Sequence, residues 1–464
     1  MKAWEMEKEL IEGSKPKVLS EEEQTWDAIE VLETQEDNKT RLLWYSEVPG
    51  SGARERLIIG AIQDVGNRGM NVTKAEKLIP QGLEAYKSGD MVKLNRITSR
   101  IFYELNNAEK DQNSSYWSFR EYTSWEEYQA KAVFPPKEEY DILSEEYRQR
   151  IFWGWTAQVC AGAFGTALEG YTTTNLREAF SEIRDYVRKP NTFNDDITYE
   201  LAFLKAFERS GYKVTSDDIA EEWVGYIPFG WSAEEVALRN IKYGIYPPMS
   251  GFFNNPFREW IGAQMRGAVC GMVAPGDPFE AARLAWKDGI ISHSNNGVIG
   301  EIFNAVLVSL SFVDADIRSV LTKTIDMLPS DSEYYSVVRY AFDKCQSCSG
   351  WEDAWSDCSK KYEKYNWIHA YPNAAAEVVA LWFGNGDFEE TMHIVAMEGQ
   401  DVDCNAAQIG TALGIILGPQ GITRKWTEPI GDDLDTYVRN MKKMKISELS
   451  DWTVDTVRKV FKGV

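Results

Sequence analysis

The chain has no strongly basic run: its 464 residues carry 72 acidic against 50 basic side chains, a net charge of −22. That balance disfavours wholesale binding to nucleic acid or to an anionic membrane surface, whereas a cationic partner or a bound cation is readily accommodated. The N-terminal residues Met1-Lys2-Ala3-Trp4-Glu5-Met6-Glu7-Lys8-Glu9 lack the apolar core of a signal peptide, which points to the cytoplasm. Two uncharged stretches reach the length of a membrane span, Ile151 to Leu168 and Cys404 to Thr423. Each carries several Gly with Gln, Thr or Asn, so both read as buried helices. The six cysteines show no even spacing of a disulfide framework, and reduced thiols are expected. Cys345-x-x-Cys348, with Cys358 and His369 beyond it, is a conceivable zinc set, but its second half lacks paired spacing and ordinary cysteines in a helical segment are the simpler reading. Strand-like alternation is scarce after Arg150, so the core is expected to be all-α.

What is present suits a folded protein: 44% hydrophobic residues, 13% aromatics and 17 Trp argue against disorder. By length the chain has room for roughly three domains or a single large one. Residues 1–145 read as a helical N-terminal extension without a catalytic pattern, and 146–464 as an all-α core, with Pro135-Pro136 near the junction. In the extension, Leu94, Ile97, Ile101 and Leu105 form one apolar stripe at helical spacing, and Pro49-Gly50-Ser51-Gly52 marks a turn.

Two acidic clusters, far apart in sequence, both stand at expected helix starts. Asn194-Asp195-Asp196 precedes an amphipathic run with Ile197, Leu201 and Leu204 on one face and Phe203 and Phe207 widening it. A helix cap at Asn194 and acids at the positive end of the helix dipole explain this motif without any ligand, and the same holds for Ser216-Asp217-Asp218. Asp401-Val402-Asp403-Cys404-Asn405 opens the uncharged stretch that ends at Thr423. Carboxylates at the mouth of so apolar a helix call for a cation, and four converging carboxylates would suffice for two hard ions such as Mg²⁺, Ca²⁺ or Mn²⁺. Between the clusters, Trp260 to Gly267 is expected to begin a helix and Asp277-Pro278 to open another. Ile291 to Gly297 reads as a polar break containing a loop histidine, His293, ahead of a helix from Val298 to Val313.

Taken in order, Gly165-Thr166-Ala167-Leu168-Glu169, Asn194-Asp195-Asp196-Ile197-Thr198, Gly262-Ala263-Gln264-Met265-Arg266, Ser292-His293 and Gly399-Gln400-Asp401-Val402-Asp403-Cys404-Asn405-Ala406 resemble the ADP-ribosylglycohydrolase family, from about Arg150 to about Thr423. The resemblance implies an all-α helical bundle with two Mg²⁺ or Mn²⁺ ions in a cleft for ADP-ribose or a related ribosyl group. It places metal ligands at Asn194, Asp195, Asp196, Asp401, Asp403 and Cys404. It makes Glu169 the nearest candidate for the acid of a mobile loop over the metals, and gives catalytic parts to Glu169, Asp196 and Asp401. Gly262, Met265 and Arg266 match the segment beside the diphosphate, and Ser292 with His293 the segment beside the distal ribose. Three positions depart from the family pattern: Thr166 replaces an Asp, Asn194 replaces a hydroxyl residue, and Cys404 offers a soft sulfur to a hard metal.

The implied function is hydrolysis of an N- or O-glycosidic bond at the anomeric carbon of a ribosyl unit, with the ions orienting ribose hydroxyls and acidifying a water. Two alternatives stand beside it. One is a hydrolase of a small, nucleoside-like ribosyl compound with no modified protein involved. The other is a non-catalytic binding or structural member of the same fold, in which ADP-ribose binds without turnover.

Overall fold

Two helices, Glu145–Gly165 and Val402–Leu417, run antiparallel through the interior and carry the two uncharged stretches. Ser144 caps the first by accepting from the Tyr147 amide at 3.1 Å, and Glu145 and Glu146 occupy its first turn. From Gly154 to Gly165 every residue of that helix is buried. Small side chains let the two backbones approach closely. Gly154 faces Ile415, Ala161 lies 2.9 Å from where a Cβ on Gly410 would stand, and Gly165 packs directly on the backbone of Asp403. This seam fixes the second acidic motif against the end of the first helix.

The computed structural model describes residues 1–24 and 29–462, and these are mostly helical, as expected. Among the described residues, strands are confined to three two-stranded antiparallel ladders. No helix among them is long and apolar enough to cross a membrane. The helix Asn296–Leu310 is buried at every position, and Ala370–Gly384 at most. Asp277 caps Pro278–Gly289, with Pro at the first helical position, as its sequence predicts. Thr215 and Asp218 form a reciprocal capping box at the start of Ser216–Tyr226.

Residues before 145 form a first helix, Ala3–Gly13, that buries none of its side chains, then Ile29–Trp44, Leu57–Asn67, Ile79–Ser88 and Met91–Asn106 with shorter pieces between. Leu94, Ile97, Ile101 and Leu105 are all buried, as the stripe predicts. The helix Leu57–Asn67 is joined to the rest by buried charge. Asp64 pairs with Arg68 at 2.9 Å and with His369 at 3.3 Å, and Arg68 donates to the Pro256 carbonyl at 2.8 Å. His369 is thereby spent, its other ring nitrogen accepting from the Tyr371 amide at 3.2 Å. Among the described residues, Cys345, Cys348 and Cys358 do not gather with it as metal ligands.

One local expectation is corrected. The helix expected to begin at Trp260 begins instead at Ala268, after a 3₁₀ turn over Gln264–Arg266. Trp260 bridges to His369, and the Ile261 amide donates to the Ile368 carbonyl at 2.8 Å, which pins this segment as a series of turns. The polar stretch Ile291 to Gly297 breaks the helices as its residues predict, and it is buried: Ser292, His293 and Asn296 are at most 1% exposed. Its amides are satisfied internally, Asn295 and Asn296 both donating to Glu259, at 3.1 and 3.2 Å.

Gly165→Ala should lower stability by about 1–3 kcal/mol, because the added methyl meets backbone that has nowhere to move. Gly225→Ala is the control: its helical site has open space, and the usual helix preference should leave it neutral or slightly stabilised in urea unfolding. A second expectation concerns Glu377, which accepts from Gln264 and Asn304 at 2.9 and 3.1 Å. Burial pushes its carboxyl up from 4.5 to about 8. The folded chain therefore keeps a proton that the unfolded chain releases, and stability falls as pH rises from about 4.5 towards about 8. Glu377→Gln removes that slope, so the stability of the variant relative to the parent should grow across this window.

Candidate metal centre

Three segment ends meet at the acidic motifs: the N-terminus of the Asp195–Ser210 helix, the N-terminus of Val402–Leu417 with Asp401 at its cap, and the chain leaving Gly165. Asn194 joins two of them. Its Oδ1 accepts from the Asp196 amide at 2.7 Å, and its Nδ2 donates to Asp403 Oδ2 at 3.3 Å. Cys404 Sγ donates to Asp196 Oδ1 at 3.2 Å and lies 3.7 Å from Met265 Sδ. Ligand atoms of Asp401, Asp403 and Cys404 fall within 4.8 Å of one another. Asn373, to which nothing in the sequence motif points, accepts from the Asp401 amide at 3.1 Å and from Asn405 Nδ2 at 2.8 Å, fixing the turn that aims both aspartates.

The electrostatics are those of acids packed without enough counter-charge. Burial, then Asp403 and its neighbours, push Asp196, Asp401 and Glu169 well above the ordinary carboxylate range. Burial and Asp403 push Asp195 up to about 6. Asp196 Oδ2, Asp401 Oδ1 and Asp403 Oδ1 are buried with no hydrogen-bond partner. Orphaned carboxylate oxygens of this kind are costly unless a cation meets them, and an oxygen-rich set suits a hard divalent ion. These residues fit Mg²⁺ or Mn²⁺. The Cys404 thiol is held well above its usual value by burial and by Asp196, so it stays protonated and acts as a donor to that aspartate.

The second group of sequence-predicted residues converges in a buried socket beside the first. Arg266 is 1% exposed and ion-paired closely with Asp288. It also donates to Glu234 Oε1 at 3.2 Å, to the Gly262 carbonyl at 2.5 Å and to Ser292 Oγ at 3.0 Å. His293 Nδ1 lies 2.7 Å from Ser292 Oγ, and its Nε2 is buried without a hydrogen-bond partner. Burial and Arg266 pull its pKa well below the usual imidazole value, so the ring is neutral. Glu234 stands at the centre of this group. Sequence reasoning passed over it because an acid in the first turn of Ser232–Lys242 looks like ordinary dipole compensation.

A hairpin from the N-terminal region reaches the same place. Ser46–Glu47 pairs with Arg54–Glu55, and the turn between them sets Gly50 on Thr166, with Glu169 Oε1 3.0 Å from where a Cβ on Gly50 would lie. Tyr171 donates to the Ser51 carbonyl at 3.1 Å, and Tyr171–Thr172 pairs with Gly399–Gln400, next to Asp401. Glu169 is thus held between the turn and the metal motif.

Comparison with known proteins gives the family and the fold. A chain described as an ADP-ribosylglycohydrolase-related protein complex superposes with a TM-score of 0.50 at 18% identity, covering 68% of this chain and 99% of that one, which shows a shared fold. An uncharacterized protein of Archaeoglobus fulgidus is 22% identical over 286 residues, 58% of this chain and 88% of the relative. The ADP-ribosylglycohydrolase family model matches residues 143–458, leaving the N-terminal region outside it, and the chain belongs to that family.

Proposed function

We propose that this protein is a metal-dependent glycosidase that hydrolyses the bond at the anomeric carbon of a ribosyl unit, on an ADP-ribosylated or related substrate. The observation that carries the reading is the meeting of Asp195 and Asp196 with Asp401 and Asp403, three of whose buried oxygens have no partner. In this reading residues 146–464 are the catalytic core and 1–145 an extension that shapes the cleft. Five of its six free cysteines are buried, which suits a reducing, cytoplasmic setting.

Asp195, Asp196, Asp401 and Asp403, with Asn194 beside them, are the side chains that would hold Mg²⁺ or Mn²⁺. When bound, such ions acidify a water and polarise ribose hydroxyls. Asn194 and Cys404 orient the aspartates, and Asn373 orients the turn beneath Asp401. Glu169, whose carboxyl faces Asp403, moves the proton to or from the leaving group. Acids around the anomeric carbon stabilise the positive charge that develops as the glycosidic bond breaks.

Addition of Mg²⁺ or Mn²⁺ should raise the melting temperature, with a gain of about 2.7 kcal/mol at one hundred times the dissociation constant. Asp195→Asn combined with Asp401→Asn should abolish both that gain and ribosyl hydrolysis. Survival of metal content and turnover in this variant would sink the reading. Glu169→Gln should keep the metal-induced gain and lower kcat by about 10²–10⁴ on a panel of ADP-ribosylated proteins, nucleotide sugars and nucleosides. Tight ribosyl binding with no turnover under either metal would instead mark a binding protein of the same fold.

A further inference from the structure

The turn from Thr166 to Gly170 carries Glu169 between the end of the Glu145–Gly165 helix and the strand Tyr171–Thr172. Glu169 and Asp195 are half-buried, whereas Asp196, Asp401 and Asp403 are buried, so solvent reaches the site beside the first two acids. The inner side of the turn is fixed by the core. Gly165 packs on the Asp403 backbone, the Leu168 amide donates to the Gly165 carbonyl at 2.7 Å, and the Gly170 amide donates to the Gln400 carbonyl at 2.8 Å.

The outer side is fixed by the hairpin of the extension. Gly50 stands so close to Thr166 that an added Cβ would overlap its methyl and its carbonyl, and would lie 3.0 Å from Glu169 Oε1. Tyr171 donates to the Ser51 carbonyl at 3.1 Å, and the buried Ala53 lies 2.5 Å from where a Cβ on Gly170 would stand. The hairpin is itself held in shape. The Val48 amide donates to the Ala53 carbonyl at 2.9 Å and the Gly52 amide to the Val48 carbonyl at 2.8 Å. At its base Glu55 Oε2 accepts from Ser46 Oγ at 3.2 Å and from Trp231 Nε1 at 2.9 Å, which ties both strands to the segment ahead of the Ser232–Lys242 helix. A carboxyl on an unrestrained loop samples many positions, and a displacement of about 1 Å at a reacting group costs on the order of 10²-fold in rate. Restraints on both sides of the turn remove that freedom.

Resting on the proposed glycosidase reading, we infer that the hairpin belongs to the catalytic apparatus: Gly50 and Tyr171 are positioning residues that keep Glu169 beside the aspartates throughout turnover, so that Glu169 works as a fixed acid rather than a swinging one. The test is a double-mutant cycle in the full chain with Mn²⁺, using an ADP-ribosylated protein, a nucleotide sugar and adenosine as probes. On the probe that the parent hydrolyses fastest, Gly50→Ala should lower kcat about 10–10²-fold, with KM changed less than about twofold. Tyr171→Phe, which removes one hydroxyl, should lower kcat about fivefold with the same small change in KM, and it decides alone if Gly50→Ala does not fold. In a Glu169→Gln background neither substitution should cost more than about twofold further, because both act through that carboxyl. Arg54→Ala, on the exposed face of the same hairpin, should leave kcat unchanged. Deuterium exchange in peptides spanning 166–172 should be faster in both positioning variants, with the Mn²⁺-induced rise in melting temperature retained. An unchanged or raised kcat, unchanged exchange, or loss of the Mn²⁺ effect in the variants overturns the inference. An equal loss of kcat in the Glu169→Gln background also overturns it, since the hairpin would then be merely structural. The glycosidase reading fails separately: a parent that hydrolyses none of the three probes under Mg²⁺ or Mn²⁺ overturns that reading and the inference with it.

Discussion

The close approach of two backbones, Gly165 against Asp403, is the constraint on which the rest of the site depends. Helices normally keep their axes apart by the width of their side chains, and here glycine and alanine remove that width along the whole seam. The consequence is positional. Asp403 cannot move away from the end of the Glu145–Gly165 helix, so the loop carrying Glu169 must begin beside it. The Asp195–Ser210 helix then has to present its first turn to the same point, and Asn194 ties it there through one amide that serves as cap and bridge at once.

Packing alone would not stabilise such an arrangement, because it gathers carboxylates that repel one another in a dry interior. Their raised pKa values express that burial and mutual repulsion. The same shortage extends outward. Glu234, Asp288 and Glu301 share one guanidinium, and further in Glu200 and Glu377 rely on neutral amides from Gln158, Gln264 and Asn304. Burial holds the carboxyls of Glu200, Glu234, Glu301 and Glu377 above their ordinary range, which couples the stability of this core to pH.

Much of this was legible in sequence, and the reasons divide cleanly. Helix starts at Asn194, Ser216 and Asp277 follow from capping chemistry local to a few residues, and the buried helices from their lack of charge. The two acidic motifs were visible as helix starts, and resemblance alone joined them. Asn373 and Glu234 were invisible because their roles exist only across the fold: one is an unremarked amide, the other an acid in the first turn of a helix, where acids are common. The misread helix at Trp260 has the same origin, since a bridge to His369 more than a hundred residues away overrides local preference. His293 does lie in a loop, but nothing nearby in sequence announces that its ring is buried against Arg266 and Glu234.

The N-terminal region supplies the last step. A loop glutamate such as Glu169 is free to swing only if nothing holds its far side. Here Gly50 packs on Thr166 beside the Glu169 carboxylate, Tyr171 donates to Ser51, and Ala53 fills the space against Gly170, whose positive φ admits no side chain without strain. The loop is thus clasped from outside by the hairpin and from inside by the Gly399–Gln400 ladder. Glu55, at the base of the hairpin, accepts from the Trp231 indole at 2.9 Å, three residues ahead of Glu234. One hairpin outside the family match therefore packs against Glu169 and bonds to Trp231, the residue that precedes the helix carrying Glu234.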